Sequence, residues 1–302
     1  MSDSLRTEQQ TKFRFAPSPN GRLHIGHAYS ALLNEEMARE SGGLLFLRIE
    51  DIDQTRCTDA LEQAIYEDLN WLGVSWEEPV RRQSEHFDCY QMALKKLMDL
   101  GIVYPTNMTR GEIKARVKDL EAKGKQWPRD PDGAPIYPGE ERNYASQKRS
   151  EIIHGSKPFA WRLDVHRAMK GLAEELSWLE GRDNLTTINA NPVVWGDAIL
   201  SRSDAPSSYH LSVVIDDSLQ GITKVVRGKD LFHTTSIHRL LQTLLGLPAP
   251  SYYHHALILD KDGRKLSKSL QSTGIAELRQ NGMTPSDIRN LIARHIGPSS
   301  FT

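Results

Sequence analysis

Cysteine is almost absent from this chain of 302 residues: Cys57 and Cys89 are the only two, and they form no CxxC pair. That excludes a disulfide-built scaffold and favours two reduced thiols in an intracellular protein. No apolar run approaches the roughly 18 residues that a membrane-spanning helix needs. The opening stretch MSDSLRTEQQTK is polar and lacks the apolar core of a secretory leader. Net charge is nearly absent too, at −1 from 38 Lys and Arg against 39 Asp and Glu, which argues against a general polyanion binder. Local basic faces on a neutral total remain compatible with RNA. No internal repeat or low-complexity segment is present. What remains, 38% hydrophobic and 25% charged residues, describes an ordinary soluble, cytoplasmic globular protein with a sizeable core.

Apolar strands alternate with amphipathic helices along the chain, which predicts an α/β fold with a parallel, Rossmann-like sheet. FRFA reads as a strand and PSPNG as a turn. A helix follows over 24–41, with Ala28, Leu32, Leu33 and Met37 on one side and Gly42 and Gly43 as its stop. GLLFLRIEDID is a buried strand ending in Glu50, Asp51 and Asp53. Further helices are expected over 59–72, 86–100, 233–247 and 284–295. PVVWGDAILSR, SSYHLSVVIDD, ITKVVRGKDLF and residues 256–259 read as strands. Residues 1–12 are expected to be a disordered lead. Residues 13–105 and 190–250 read as two halves of one domain, 106–189 as an inserted α+β subdomain, and 251–302 as a basic loop with a short helical region. In such sheets ligands sit beyond the carboxyl ends of the strands, where PSPNG and Glu50 fall.

Two motifs carry chemistry. His24 and His27, in HIGH, open a helix whose exposed N–H groups and dipole favour an anion. KLSKS, residues 265–269, concentrates Lys265 and Lys268 with Lys261 and Arg264 on a loop that Gly263 loosens. The spacing of the histidines also fits an HxxH metal pair, but no third ligand lies nearby in sequence, so phosphate ranks above metal. The order strand, HIGH, insertion, sheet, KLSKS resembles class I aminoacyl-tRNA synthetases. That resemblance implies ATP as substrate, Mg²⁺ with it, and His24, His27, Lys265 and Lys268 around the phosphates. His24, His27 and Lys268 would be catalytic, with Lys268 a mobile point charge for the leaving pyrophosphate.

FRFAPSPNG, LRIEDIDQTR, SYHLSVVIDD and VVRGKDL narrow the resemblance to the glutamyl branch. Glutamate carries two carboxylates and one ammonium, so its pocket needs cations and an anion. The matched segments supply Arg14 and Arg227, each able to grip a carboxylate bidentately, with Glu50 for the ammonium, Ser18 and Tyr209 as hydroxyls, and Ala16 lining the site. Asp53, Asp197, Asp216 and Asp217 could hold Mg²⁺ or a ribose, or cap strand ends. Only about 33 residues follow Ser269, too few for an anticodon-binding domain. In this the chain resembles the glutamyl-queuosine tRNA(Asp) synthetases. These activate glutamate without tRNA and esterify queuosine in the anticodon stem-loop of tRNA(Asp). A monomer is expected. The alternatives are a minimal glutamyl-tRNA synthetase charging a 3′ end and a catalytically silent RNA-binding paralogue. Basic residues in the insertion, among them Arg110, Lys114 and Arg116, are either a phosphate-contacting face or a solvated helix. That family often holds a structural zinc in the insertion, whose positions here read Thr106, Met108, Tyr137 and Glu141. Thiolates are missing, so no zinc is expected, and apolar packing around Trp127, Tyr137 and Trp161 is expected to hold the subdomain instead.

Overall fold

The computed structural model describes residues 10–203, 205–258 and 274–296. A first strand–helix series runs through β1 (Lys12–Phe15), α1 (Ile25–Glu40), β2 (Leu44–Ile49), α2 (Asp59–Leu72) and β3 (Glu77–Arg82). Its three strands form a parallel sheet in the order β1–β2–β3. The helices start and stop where local chemistry says they should. Thr58 caps α2 by accepting from Leu61 N, and Gly73, at φ 80°, ends it in the left-handed region that favours glycine.

After α3 (Phe87–Asp99) the chain builds a second layer. β4 (Val103–Thr106), β5 (Ala160–Leu163) and β8 (Ile199–Arg202) form a three-stranded antiparallel sheet, accompanied by α4 (Arg110–Ala122), α5 (Ser146–His154) and α6 (Val165–Lys170). The hairpin of β6 (Ser177–Glu180) and β7 (Thr186–Asn189) lies between β5 and β8 in sequence. It belongs to neither of them. β6 pairs in parallel with β10 (Ser251–His255), which pairs in parallel with β9 (Lys224–Gly228), giving the order β7–β6–β10–β9. The boundary expected at 189/190 therefore does not follow the hydrogen bonds. The hairpin extends the main sheet, and β8 completes the inserted one.

β1 and β9 lie side by side: Thr223 N donates to Lys12 O at 3.0 Å, and Lys12 N donates to Thr223 Oγ1 at 2.9 Å. The strand series runs outward from this seam in both directions, which makes it the crossover point where such sheets place their ligands. Lys12, expected in a disordered lead, is already part of β1. One core packs β1 and β2 against α1, α2, α9 (Ile275–Gln280) and α10 (Pro285–Ile296), and a second joins α3, α7 (Tyr209–Leu219) and α8 (Thr235–Leu245).

Three expected strands are corrected. SSYHLSVVIDD forms α7, although its β-branched run favours a strand. Ser208 caps the helix by accepting from Leu211 N, and Leu211, Val214 and Ile215 bury a helical face with α3 and α8, so packing overrides propensity. PVVWGDAILSR splits into a 3₁₀ turn over Pro192–Trp195 and β8. The strand expected over 256–259 ends earlier, at His255, and Leu259 lies outside the described residues.

Candidate active site

Two cavities meet at the carboxyl edge of the sheet. The smaller, about 320 Å³, sits at the β1–β9 seam and is lined by Arg14, Ala16, Ser18, His27, Glu50 and Arg227, among others. The larger, about 630 Å³, lies between the sheet edge and the inserted layer, against Arg110, Tyr137, Arg162, Trp195 and His210. Ser18, Glu50 and Tyr209 line both, so the two spaces share a wall.

Arg14 points inward from β1 and is 4% exposed. Its Nε donates to Asp217 Oδ1 at 3.2 Å and its Nη1 to Val226 O at 3.4 Å. Its Nη2 has no hydrogen-bond partner among the described residues. Arg48, inside the apolar strand β2, is fully buried and donates to Asp217 Oδ1 at 2.8 Å, Gln220 Oε1 at 3.0 Å and Glu50 Oε1 at 3.2 Å. Burial works against the Asp217 carboxylate, but Arg14 and Arg48 outweigh it and hold its pKa below the ordinary range. Burial pushes Glu50 upward, opposed by Arg48 and Arg14. Asp216 accepts from Arg81 Nε at 2.7 Å, Gln83 at 2.8 Å and Tyr90 at 2.9 Å. Asp216 and Asp217, weighed as Mg²⁺ or ribose ligands, are thus the buried counter-ions that fix three arginines.

Arg227, at the end of β9, is 5% exposed and uses its five N–H donors inside the protein. Nε reaches His254 Nε2 at 3.1 Å. Nη1 reaches Tyr209 Oη at 3.3 Å and His238 Nδ1 at 3.2 Å. Nη2 reaches Thr235 Oγ1 at 2.9 Å and Leu231 O at 3.2 Å. Every one of these partners is neutral. His254 Nδ1 in turn lies 2.8 Å from Glu180 Oε2. Burial, then the Arg227 charge, pushes His238 well below an ordinary histidine. Burial also lowers His254, although its bond to Glu180 pulls the other way. The guanidinium therefore faces the small cavity with its charge uncompensated by a direct carboxylate. A bidentate grip on a ligand carboxylate, expected of both arginines, requires an exchange of bonds: Arg227 has no spare donor, and Arg14 offers one terminal nitrogen.

His24 occupies the cap position of α1. Its Nδ1 accepts from Gly26 N at 3.1 Å, His27 Nδ1 accepts from His24 N at 3.2 Å, and the two rings stack 3.8 Å apart. The pair is a capping box built from imidazoles, which places the proton of each neutral ring on Nε2. A Cβ at residue 26 would lie 3.0 Å from the His24 ring, so glycine lets that ring fold back. A third cavity, about 660 Å³, opens beside His24 against Gly274. The described chain leaves at Ile258 and returns at Gly274, where Ile275 N donates to Leu23 O at 2.9 Å. Lys265 and Lys268 lie outside the described residues.

Asp197 accepts from Tyr104 at 2.5 Å and pairs with Arg142 at 2.9 Å, and it lines the larger cavity and not the one at the seam. Asp53 turns back on Thr55 and Arg56. At the zinc positions, Thr106 Oγ1 bonds Tyr137 Oη and lies 3.0 Å from Glu141 Oε1, to which Tyr137 donates at 2.7 Å. A hydroxyl, a thioether, a phenol and one carboxylate are a poor zinc set, and three of the four are spent on one another. Of the three aromatics expected to hold the subdomain, Trp161 packs against the second apolar core, Trp127 donates to Ile136 O at 2.8 Å, and buried Tyr137 serves in this polar clasp with the Arg162 guanidinium 3.7 Å above its ring. Among the described residues no group of three or more His, Cys, Asp or Glu could hold a metal, and no helix is long and apolar enough to cross a membrane.

Arg48, His238, His254 and Glu180 were not singled out from sequence. An arginine inside LLFLRI is a signal in itself, because a charge in a buried strand needs a built partner set. The histidines offered none, since their partners lie on three separate elements.

Residues 10–299 match the family model of class I tRNA synthetases (E and Q), catalytic domain. The chain is 41% identical over 283 residues to the glutamyl-Q tRNA(Asp) synthetase of Rhodobacter capsulatus, covering 92% of this chain and 98% of that one. It is 34% identical to the glutamate–tRNA ligase of Aquifex aeolicus but spans only 56% of it. A crystal structure of a glutamate tRNA ligase from Elizabethkingia meningosepticum, in complex with its amino acid, aligns at a TM-score of 0.74 and 25% identity over 94% of this chain and 60% of that one. The seam pocket, the HIGH-capped helix and these matches together place the chain in the family of class I tRNA synthetases of the glutamyl and glutaminyl branch.

Proposed function

We propose that the protein activates L-glutamate with ATP in the absence of tRNA, then transfers the glutamyl group to queuosine in the anticodon stem-loop of tRNA(Asp). The observation that carries the first step is the charge pattern of the seam pocket. Two buried cations, Arg14 and Arg227, face one carboxylate, Glu50, which matches the two acids and one amine of glutamate. The acceptor is argued from relatives: the chain spans 98% of a glutamyl-Q tRNA(Asp) synthetase and little more than half of a glutamate–tRNA ligase.

Glu50 holds the ammonium, Tyr209 and Ser18 orient the carboxylates beside Arg227 and Arg14, and Ala16 leaves room for the carbon chain. An oxygen of the α-carboxylate attacks the α-phosphorus of ATP, and the bond to the bridging oxygen breaks to release pyrophosphate. His24 and His27 present Nε2–H groups to the phosphate oxygens at the head of α1, and Lys268 and Lys265 neutralise the leaving group. Mg²⁺ carried by the nucleotide would add positive charge at its phosphate oxygens. Catalysis here is positioning and charge stabilisation. In the second step a hydroxyl of the queuosine ring attacks the glutamyl carbonyl, AMP leaves, and an ester remains. The site of action is the cytoplasm.

Glutamate-dependent ATP–pyrophosphate exchange without tRNA is the expected result of the first test, and its absence overturns the activation step. Labelled glutamate should then enter tRNA from queuosine-containing cells and not from queuosine-deficient ones. Equal labelling of the two pools points instead to a 3′ end as acceptor.

A further inference from the structure

A histidine beside a reacting hydroxyl is the usual choice for a general base, and His210 sits where that choice arises. It is the second residue of α7, next to Tyr209, and it lines the larger cavity and not the smaller. Its hydrogen bonds argue for a different role.

His210 Nδ1 lies 3.4 Å from His238 Nε2, and His238 Nδ1 lies 3.2 Å from Arg227 Nη1. A guanidinium can only donate. His238 Nδ1 therefore accepts, and the proton of the neutral His238 ring sits on Nε2. That nitrogen donates to His210 Nδ1, so the proton of neutral His210 sits on Nε2. Both rings stay neutral near physiological pH: burial and then Arg227 lower His210 to about 4, and His238 is shifted the same way. The chain has one direction. It starts at the cation of the glutamate-type pocket and ends at an N–H with no partner among the described residues, in a side chain that lines the adjoining cavity.

We propose that His210 is a specificity-determining donor whose Nε2–H holds an oxygen of the acceptor nucleoside in the larger cavity, with His238 as the positioning residue that locks its tautomer. The assignment rests on the two-step reading above and deepens its second step. It also excludes His210 as the base for the attacking hydroxyl, because the nitrogen that would face that hydroxyl already carries its proton. The proton of the hydroxyl leaves by another route, such as a phosphate oxygen of the adenylate.

The test uses the full chain with His210→Ala and His210→Gln, the second keeping an N–H donor. In His210→Ala, transfer to queuosine-containing tRNA should fall at least tenfold more than ATP–pyrophosphate exchange does, mainly through KM for tRNA. His210→Gln should recover to within about threefold of wild type with an unchanged pH profile, since a retained donor keeps most of a hydrogen bond's effect. Nitrogen-15 spectra of histidine-labelled protein, with the His210 signals assigned by their loss in the glutamine variant, should show protonated Nε2 and unprotonated Nδ1. An Nδ1-protonated ring overturns the proposal whatever the activity. So does a glutamine variant as impaired as alanine, or an alanine variant with transfer and exchange reduced equally. Wild-type protein with no exchange at all would sink the two-step reading itself, while the spectra would still report the tautomer.

Discussion

Acidification should weaken the fold through the histidines that surround Arg227, and His210 allows the size to be worked out. Its pKa falls from the ordinary 6.5 to about 4 in the folded protein, chiefly by burial and then by Arg227. Between those values the unfolded chain binds a proton that the folded chain refuses, so stability declines as pH drops through that window and is fully present above it. The loss approaches about 1.4 kcal/mol per pH unit within the window, which amounts to about 1 kcal/mol for His210 alone between about pH 7.5 and pH 5.5. His238 and His254 are shifted in the same direction and add to it. Glu50, raised by burial, works the opposite way. The informative quantity is therefore the difference between wild type and His210→Gln. Urea unfolding followed by tryptophan fluorescence at the two pH values should show the variant losing about 1 kcal/mol less than wild type on acidification. The same pH dependence in the two proteins would falsify the assignment of His210 as a half-buried, neutral ring.

Other substitutions probe separate parts of the site. Arg48→Met should destabilise the protein by about 3–5 kcal/mol in denaturant unfolding, because Asp217 and Glu50 lose a buried counter-ion; a loss under about 1 kcal/mol would contradict the role given to it. Glu50→Gln should raise KM for glutamate in the exchange assay by tenfold or more, in keeping with removal of a charge-assisted bond. An unchanged KM would remove Glu50 from the ammonium site. Tyr137→Phe should cost about 1–3 kcal/mol by leaving Thr106 and Glu141 short of a partner in a buried clasp. Purified wild-type protein should carry no stoichiometric zinc, and a chelator should leave its Tm unchanged. A Tm that drops with chelator would show that the clasp is not what holds the insertion. Lys268→Ala should slow exchange strongly with little change in glutamate affinity, and the reverse pattern would contradict its assignment to pyrophosphate.

The sequence by itself determined the elements whose signals are local. The strand FRFA, the HIGH-capped helix, the spacing of Leu61, Ile65, Leu69 and Leu72 in α2, and the missing thiolates at 106 and 108 were all legible, since periodicity, capping and ligand chemistry act over a few residues. The residues proposed for a glutamate pocket were named through the resemblance of the short segments that carry them, which is also a local signal. Tertiary structure decided what depends on partners far apart in the chain. It turned SSYHLSVVIDD into a helix, because α3 and α8 offer a surface only a helical face can fill. It moved the β6–β7 hairpin onto the main sheet through pairing with β10, some seventy residues later (Tyr252 with Glu180). It also fixed the state of the charges. Arg14 and Arg48 share Asp217 from 203 and 169 residues away, and Arg227 spends its donors on three histidine- and hydroxyl-bearing elements. Whether an arginine is free to grip a ligand, or a histidine carries its proton on one nitrogen or the other, is set by the neighbours that burial enforces, and no local pattern encodes it.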